Sequence, residues 1–175
     1  IVTIACAAGM RFLRLIKLEF SSFLERLLYG MALGLGCLSY TMLGLGLLGL
    51  LAGWIWAGLG ILVLLLLPSE LLDIWYGIQK GIKRLREEKW GSFEVVLTGL
   101  CFCTIAINFI GAIAPELSYD SLEYHLGSLS LYLKAGRIYF IPQNVYASFP
   151  ANIEMLYLWG LILNGDTVSR LLNLG

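Results

Sequence analysis

Two long apolar runs dominate the pattern of hydrophobic and polar positions. Between Arg26 and Glu70, 43 consecutive residues carry no formal charge. As one helix they would extend about 64 Å, roughly twice the thickness of a bilayer hydrocarbon core. We therefore predict a hairpin of two membrane-spanning helices, residues 27–48 and 51–67. The other run predicts a third spanning helix, residues 92–114, and a proline follows each of the last two helices.

Glycines mark both the turn and the packing surface of this hairpin. Gly49 and Gly53 lie next to two tryptophans, a combination typical of a tight turn at a membrane interface. Gly30 and Gly34 have the four-residue spacing that lets membrane helices approach closely. Because the chain is rich in glycine, we interpret this pair as general helix packing rather than as a dedicated dimer motif.

A basic amphipathic helix is predicted between the second and third spans, over residues 69–89. Its apolar positions fall on one helical stripe: Leu71, Ile74, Trp75, Ile78, Ile82 and Leu85. Its basic positions crowd the second half: Lys80, Lys83, Arg84, Arg86 and Lys89. A helix of this kind lies on the membrane surface. Its basic face is either a solvated face that sets the topology or a docking site for a partner or an anionic substrate.

The chain beyond residue 114 continues with shorter helical patterns. Residues 121–134 are predicted as an amphipathic helix on the outer membrane surface, because four leucines recur there on one helical stripe. Residues 155–163 form an apolar run too short to span, and therefore a re-entrant or interfacial helix. A further spanning helix is predicted to start near residue 168. The predicted fold class is an all-α integral membrane protein.

The composition agrees with a membrane location. Hydrophobic residues make up 59% of the 175 residues and charged residues only 14%, whereas soluble domains carry about 25% charged residues. The net charge is zero, so no overall field indicates a nucleic-acid partner. The cysteines lie in apolar runs and are predicted to be small hydrophobic residues rather than metal ligands: Cys6, Cys37, Cys101 and Cys103.

The distribution of basic residues predicts the topology. Arg11, Arg14 and Lys17 precede the first span, and residues 80–89 hold the second basic cluster. Because two spans separate the clusters, both fall on one side, which the positive-inside rule assigns to the cytoplasm. The predicted segments are a basic N-terminal segment 1–26, a membrane region 27–114, an extracytoplasmic loop 115–167, and the start of a helix at 168–175.

The polar segment from Ala114 to Glu154 holds the candidate chemistry. Asp120 and Glu123 have the spacing of a capping box, so Asp120 is either a helix cap or a catalytic carboxylate, and the two roles are compatible. His125 is the one histidine in the chain. The spacing of these three residues would admit a divalent metal but does not specify one, and no cofactor is predicted.

Four motifs carry a resemblance that covers the chain from Glu25 to its last residue. They read ERLLYGMALGLG from Glu25, YDSLEYHL from Tyr119, YLKAGRI from Tyr132 and NVYASFPANIEMLY from Asn144. The last three resemble the first external loop of bacterial membrane glycosyltransferases of the GT-C superfamily. These enzymes use polyprenyl-phosphate sugars, as in the protein-mannosyl, aminoarabinose and Rgt-type transferases. The resemblance implies a multi-pass protein of the bacterial inner membrane.

The resemblance also implies roles for individual residues. Asp120 matches the catalytic carboxylate, as a general base or as an orienter of the acceptor hydroxyl, with Glu123 and His125 as secondary catalytic contacts. The implied substrate-binding residues are Lys134, Arg137, Asn144, Asn152 and Glu154. Lys134 and Arg137 would meet the lipid phosphate, although both could equally extend to the interface as snorkelling side chains.

The length of the chain leaves a second hypothesis open. The catalytic core of this family needs many more spanning helices than the three spans and the helix start predicted here. The sequence is therefore similar to the N-terminal part of such an enzyme. The alternative is a noncatalytic small subunit that packs its helices against other membrane subunits of a larger complex. The lipid bilayer is a partner under both hypotheses.

Overall fold

The computed structural model describes residues 1–113, 126–142, 144, 152–164 and 168–169, and these form helices and connecting turns without any strand. The all-helical prediction is therefore confirmed for the described part of the chain. The helices are α1 (Val2–Leu15), α2 (Phe23–Leu47), α3 (Gly53–Leu66), α4 (Pro68–Glu87), α5 (Ser92–Ile113), α6 (Gly127–Ala135) and α7 (Asn152–Asn164).

Helices α1 and α2 form a closely packed antiparallel pair. A Cβ atom at Gly9 would overlap the carbonyl oxygen of Gly30, and one at Gly34 would overlap the carbonyl oxygen of Ala5. The two backbones touch because these positions have small side chains, the arrangement that small residues four apart allow in membranes. The predicted role of Gly30 and Gly34 is thus observed, and the partner is another helix of the same chain.

Helix α2 has clear signals at both ends. Its N-cap is Ser22, whose hydroxyl accepts a hydrogen bond from the amide of Glu25 at 3.1 Å. At the other end Gly49 adopts a left-handed conformation, with φ of +78°. The amide of Leu50 then donates to the carbonyl of Leu45 at 2.9 Å. This hydrogen-bond pattern ends a helix and turns the chain, so the predicted turn lies where the glycines indicated it.

Helix α3 is shorter than the predicted span of residues 51–67. The amide of Leu51 bonds to the carbonyl of Gly136 rather than to α3, and Leu67 precedes a proline and leaves the helical conformation. The 14 residues of α3 extend about 21 Å, less than a hydrocarbon core. Among the described helices, α2 and α5 are long and apolar enough to cross a membrane, and α3 with α4 adds a third crossing if that bent pair is one broken span.

Helix α4 turns sharply away from α3. Pro68 occupies its first turn, where the missing amide costs nothing, and the axes of α3 and α4 differ by 74°. The helix predicted over residues 69–89 corresponds to α4, which covers Pro68–Glu87. Helix α5 packs against none of the other described helices to a significant extent, and no residue of its most apolar stretch is buried.

Two hydrophobic clusters lie at opposite ends of α2. One joins α1 to the start of α4, through Cys6, Ala7, Met10, Leu67 and Ile74. The other joins the end of α2 to α3, α6 and α7, with Met42, Trp56, Leu129, Leu158 and Trp159 among its buried members. The 25 residues of α2, about 37 Å of helix, connect the two clusters.

Two predicted helices lie partly outside the described residues. The helix predicted over residues 121–134 overlaps α6, which begins at Gly127 after a turn at Leu126, and residues 121–125 lie outside the described residues. Only residues 168–169 of the helix predicted near residue 168 are described, and both are helical. The apolar run 155–163 lies within α7, as predicted.

Candidate functional site

The C-terminal end of α6 carries two of the predicted substrate-binding residues. Gly136 follows the helix in the left-handed conformation, with φ of +67°. The amide of Arg137 then donates to the carbonyl of Tyr132 at 3.1 Å, which closes the last turn. Lys134 lies in that last turn, and both basic side chains are exposed.

A short backbone clip attaches this helix end to the turn between α2 and α3. The amide of Leu51 donates to the carbonyl of Gly136 at 3.2 Å, and the amide of Ile138 donates to the carbonyl of Gly46 at 2.8 Å. The Ile138 side chain packs against Gly46, where a Cβ would come within 2.7 Å of Ile138 Cγ1. Arg137, between the two clip residues, is therefore held at the α2–α3 turn.

The remaining described candidates are positioned by two other helices. The side-chain amide of Asn144 donates to the Ser128 hydroxyl of α6 at 3.2 Å. The backbone carbonyl of Asn152, the first residue of α7, accepts a hydrogen bond from the Ser39 hydroxyl of α2 at 2.6 Å. Glu154 follows in the first turn of α7 and is half-buried. Lys134 and Arg137 thus lie near the α2–α3 turn, whereas Asn152 and Glu154 lie at the end of α7 that is far from this turn, beside Ser39 of α2.

Aromatic side chains pack in the hydrophobic cluster that joins α3, α6 and α7. Trp56 of α3 and Trp159 of α7 meet edge to face, with ring centroids 4.9 Å apart, and both are at most 2% exposed. Tyr132 meets Tyr139 edge to face at 5.7 Å. Burial raises the pKa of the Tyr132 phenol, and the neighbouring Tyr139 raises this pKa further. Tyr132 is therefore a neutral hydrogen-bonding group at neutral pH.

Tyr157 has a second raised pKa in the same region. Burial is the main cause, and the negative charge of Glu154 adds to it. The direction follows because both low polarity and a nearby carboxylate disfavour the phenolate. Glu154 thus influences a neighbour on α7, and Tyr157 stays protonated at neutral pH.

The three predicted catalytic residues lie outside the described residues. Asp120, Glu123 and His125 belong to residues 114–125, between α5 and α6. The capping, catalytic and metal-binding interpretations of these residues therefore stay predictions. Within the part of the chain that the structure describes, no group of three His, Cys, Asp or Glu side chains could hold a metal ion.

A charged cluster that the sequence analysis missed lies at the opposite end of α2. Glu70, in the first turn of α4, is fully buried, and its Oε1 accepts hydrogen bonds from Arg14 at 2.6 Å and from Arg11 at 3.2 Å. Arg14 also bonds Asp73 at 2.9 Å, and Arg26 of α2 reaches Asp73 at 3.5 Å. We call these five residues the arginine–carboxylate cluster.

The pKa of Glu70 is lowered, a direction that favours the ionised carboxylate. Burial alone would raise the pKa, but the Ser69 hydroxyl, the backbone amide of Glu70, and the charges of Arg14 and Arg11 lower it, and the net direction is down. The cluster thus ties the end of α1 and the start of α2 to the start of α4. The available signal in the sequence was the lone carboxylate directly after 43 uncharged residues.

A cleft of about 540 Å³ opens beside this cluster. It is lined by residues 18–23, which connect α1 and α2, and by Arg26. Its charged residues are Glu19 and Arg26, which have opposite signs. The charges of the walls therefore select neither for an anion nor for a cation.

The described fold defines the class of protein. A bundle of apolar helices, two or three of them able to span a membrane, identifies an all-helical membrane protein. Comparison of the chain with models of known protein families, with curated protein sequences and with solved structures found no match.

Proposed function

We propose that this chain is the N-terminal part of a membrane glycosyltransferase that uses a polyprenyl-phosphate sugar. The motifs around Asp120, Tyr132 and Asn144 carry the proposal, because they resemble the first external loop of the GT-C transferases. The observed geometry supports it through one feature. The segments that carry the described candidates all contribute to one hydrophobic cluster, through Tyr132, Ile138 and Met155 among others.

The topology that we propose follows from the two ends of α2. The clip and Arg137 lie at the α2–α3 turn, whereas the arginine–carboxylate cluster lies at the start of α2. If the basic end faces the cytoplasm, the loop 115–167 is extracytoplasmic in a bacterial inner membrane. A cysteine introduced at Ser148 should then react with an impermeant maleimide added outside the cell. If the cysteine reacts only from the cytoplasmic side, the topology is the inverse of the one proposed.

In the proposed reaction Asp120 removes the proton from the acceptor hydroxyl. The acceptor oxygen forms a bond to the anomeric carbon of the sugar, the bond from that carbon to the phosphate oxygen breaks, and polyprenyl phosphate leaves as the anion. A carboxylate suits this role because positive charge develops at the anomeric carbon as the nucleophile is deprotonated. Glu123 and His125 would contact the acceptor.

Lys134 and Arg137 would bind the phosphate of the lipid carrier. Both are exposed at the end of α6, and the clip fixes the backbone on either side of Arg137. A guanidinium at a fixed position can bind a phosphate through two parallel hydrogen bonds. Asn144, Asn152 and Glu154 would contact the sugar or the acceptor.

The test is the nearly isosteric variant Asp120→Asn in the complete protein. Membranes would be incubated with undecaprenyl-phosphate-linked mannose, glucose and aminoarabinose, and released undecaprenyl phosphate would be measured by mass spectrometry. We expect a loss of about 10²- to 10⁴-fold in rate, the usual contribution of a general base. Glu116→Gln is the matched control in the same loop and should retain the rate. Full activity in the Asp120→Asn protein would refute the assignment.

A noncatalytic subunit is the second candidate, and one observation favours it. Helix α5 is apolar on all sides and packs against none of the other described helices to a significant extent, as expected of a helix that contacts other membrane subunits. This candidate predicts that the native protein has a mass near 19.4 kDa and copurifies with a larger complex. It also predicts that Asp120→Asn has no effect.

A further inference from the structure

The two halves of α4 differ in their surroundings. The first turns hold Glu70 and Ile74, which are buried against α1 and α2. From Trp75 onward the helix leaves the bundle, and nearly every residue to its end is exposed. The arginine–carboxylate cluster therefore fixes one end of the helix, and Gly77 still lies against the ring of Phe23, whereas the residues after Gly77 are exposed or half-buried. We call residues 75–89, which are the second half of α4 and the two residues after it, the free half of α4.

The free half presents an exposed apolar stripe, and its charged residues, most of them basic, occupy the remaining helix surface. The stripe consists of Trp75, Ile78, Ile82 and Leu85, which are between 45% and 59% exposed and follow the helical repeat. The free half contains five basic and two acidic residues, a net charge of +3, in a chain whose net charge is zero. Such a surface is complementary to a partner that is apolar and anionic at once.

The geometry of the neighbouring helices identifies that partner. Helix α4 is bent by 74° from α3, so a spanning or membrane-inserted α3 directs α4 nearly parallel to the bilayer plane. Its far end leads within five residues into α5, which is long and apolar enough to span. Both ends of α4 are therefore at the membrane boundary. The lipid surface is the partner always within reach of the free half.

We propose that the free half of α4 is a binding surface for anionic phospholipids, which docks its apolar stripe among the acyl chains and its basic side chains on the headgroup phosphates. The arginine–carboxylate cluster sets the orientation of the helix, and Lys83, Arg84 and Arg86, the basic residues of α4 nearest the stripe, supply the lipid preference. This proposal does not depend on sugar transfer, because a catalytically inactive chain retains α4.

The test uses the full chain in nanodiscs, with a fluorophore on α4. The native cysteines are replaced by alanine, and Ile82→Cys carries the label on the stripe. Glu87→Cys, on the opposite face of the helix, carries the control label. Quenching is compared for phosphatidylglycerol and phosphatidylcholine with brominated acyl chains, each at the same fraction of the lipid. We expect quenching at Ile82 but not at Glu87, and stronger quenching by the brominated anionic lipid.

Variants that change the charge of the free half then test whether its basic side chains cause the preference for anionic lipid. Lys83→Gln, Arg84→Gln and Arg86→Gln together remove the net charge of the free half. Each basic side chain contributes about fivefold to binding at an anionic surface, so the triple variant should lower the ratio of docked to undocked helix on the order of a hundredfold. Raising the salt concentration should act in the same direction. Glu87→Gln with Glu88→Gln is the opposing control and should strengthen the preference.

Three outcomes would overturn the proposal. Equal quenching by the two lipids would show that the helix lies on the membrane without recognising charge. No quenching at Ile82 by either lipid would show that protein, such as a second copy or another subunit, covers the stripe. An unchanged lipid preference in the triple variant would show that the basic side chains of the free half do not bind the headgroups.

Discussion

Replacing Glu70 by Gln keeps the size of a fully buried side chain but removes its charge. The carboxylate accepts hydrogen bonds from Arg14 at 2.6 Å and Arg11 at 3.2 Å. Breaking a buried ion pair costs about 3–5 kcal/mol, and breaking an exposed pair costs about 0.2–1 kcal/mol. Because both arginine side chains are 43% exposed and can return to water, we expect an intermediate loss of about 2 kcal/mol.

The assay is unfolding of the detergent-solubilised protein by sodium dodecyl sulfate, followed by the loss of helix packing. Asp73→Asn is the matched control, because Asp73 belongs to the same cluster but its side chain is 40% exposed. This control should cost no more than about 1 kcal/mol. The reasoning is refuted if Glu70→Gln unfolds at the same midpoint as the wild type, or at the same midpoint as Asp73→Asn.

The pH dependence of the same variant checks the sign of the pKa shift. The pKa of Glu70 is lower in the folded protein than its usual value of about 4.3. Its charge therefore stabilises the fold above that usual value, and this stabilisation is lost as the pH falls through the lower folded pKa. The difference in stability between the wild type and Glu70→Gln should be constant above about pH 5.5 and should narrow below about pH 4.

Two further substitution pairs test the packing at both ends of α2, each by the same unfolding assay. Gly34→Ala places a Cβ on the backbone of α1 and should cost about 1–3 kcal/mol, whereas Gly36→Ala enters open space and should be neutral or slightly stabilising. Trp159→Ala removes a buried ring from its contact with Trp56 and should cost about 3–5 kcal/mol. The exposed Trp54→Ala is its control, and an equal loss in both members of either pair would contradict the observed packing.

Local signals in the sequence predicted the helices because those signals act within a few residues. Gly49 can adopt the left-handed conformation that ends α2, and Pro68 starts α4 because its missing amide is not needed there. The same kind of reasoning failed at α3. Its first turn is shortened by a hydrogen bond from Leu51 to Gly136, a residue 85 positions later in the chain, and local propensity cannot reveal such a contact.

Side-chain pairs between residues far apart in the chain were also not predictable, because local propensity does not reveal them. Glu70 pairs with arginines 56 and 59 positions earlier, and helical periodicity places Glu70 on a face without naming its partner. For the candidate site, the resemblance implied Arg137, Asn144 and Asn152 as substrate-binding residues. It did not predict the clip, nor the hydrogen bond between Ser39 and Asn152, whose positions are 113 residues apart.

The position of α2 between two packing partners has a consequence for biosynthesis. One face of α2 packs against α1, which is synthesised before α2. Ser39, in contrast, can bond the carbonyl of Asn152 only after residue 152 has been synthesised. At a translation rate of roughly 5–20 residues per second, that interval of 113 residues corresponds to about 6–23 seconds. During this time α7 does not yet cover this face of α2, so whatever occupies the face during synthesis has to be displaced when α7 packs.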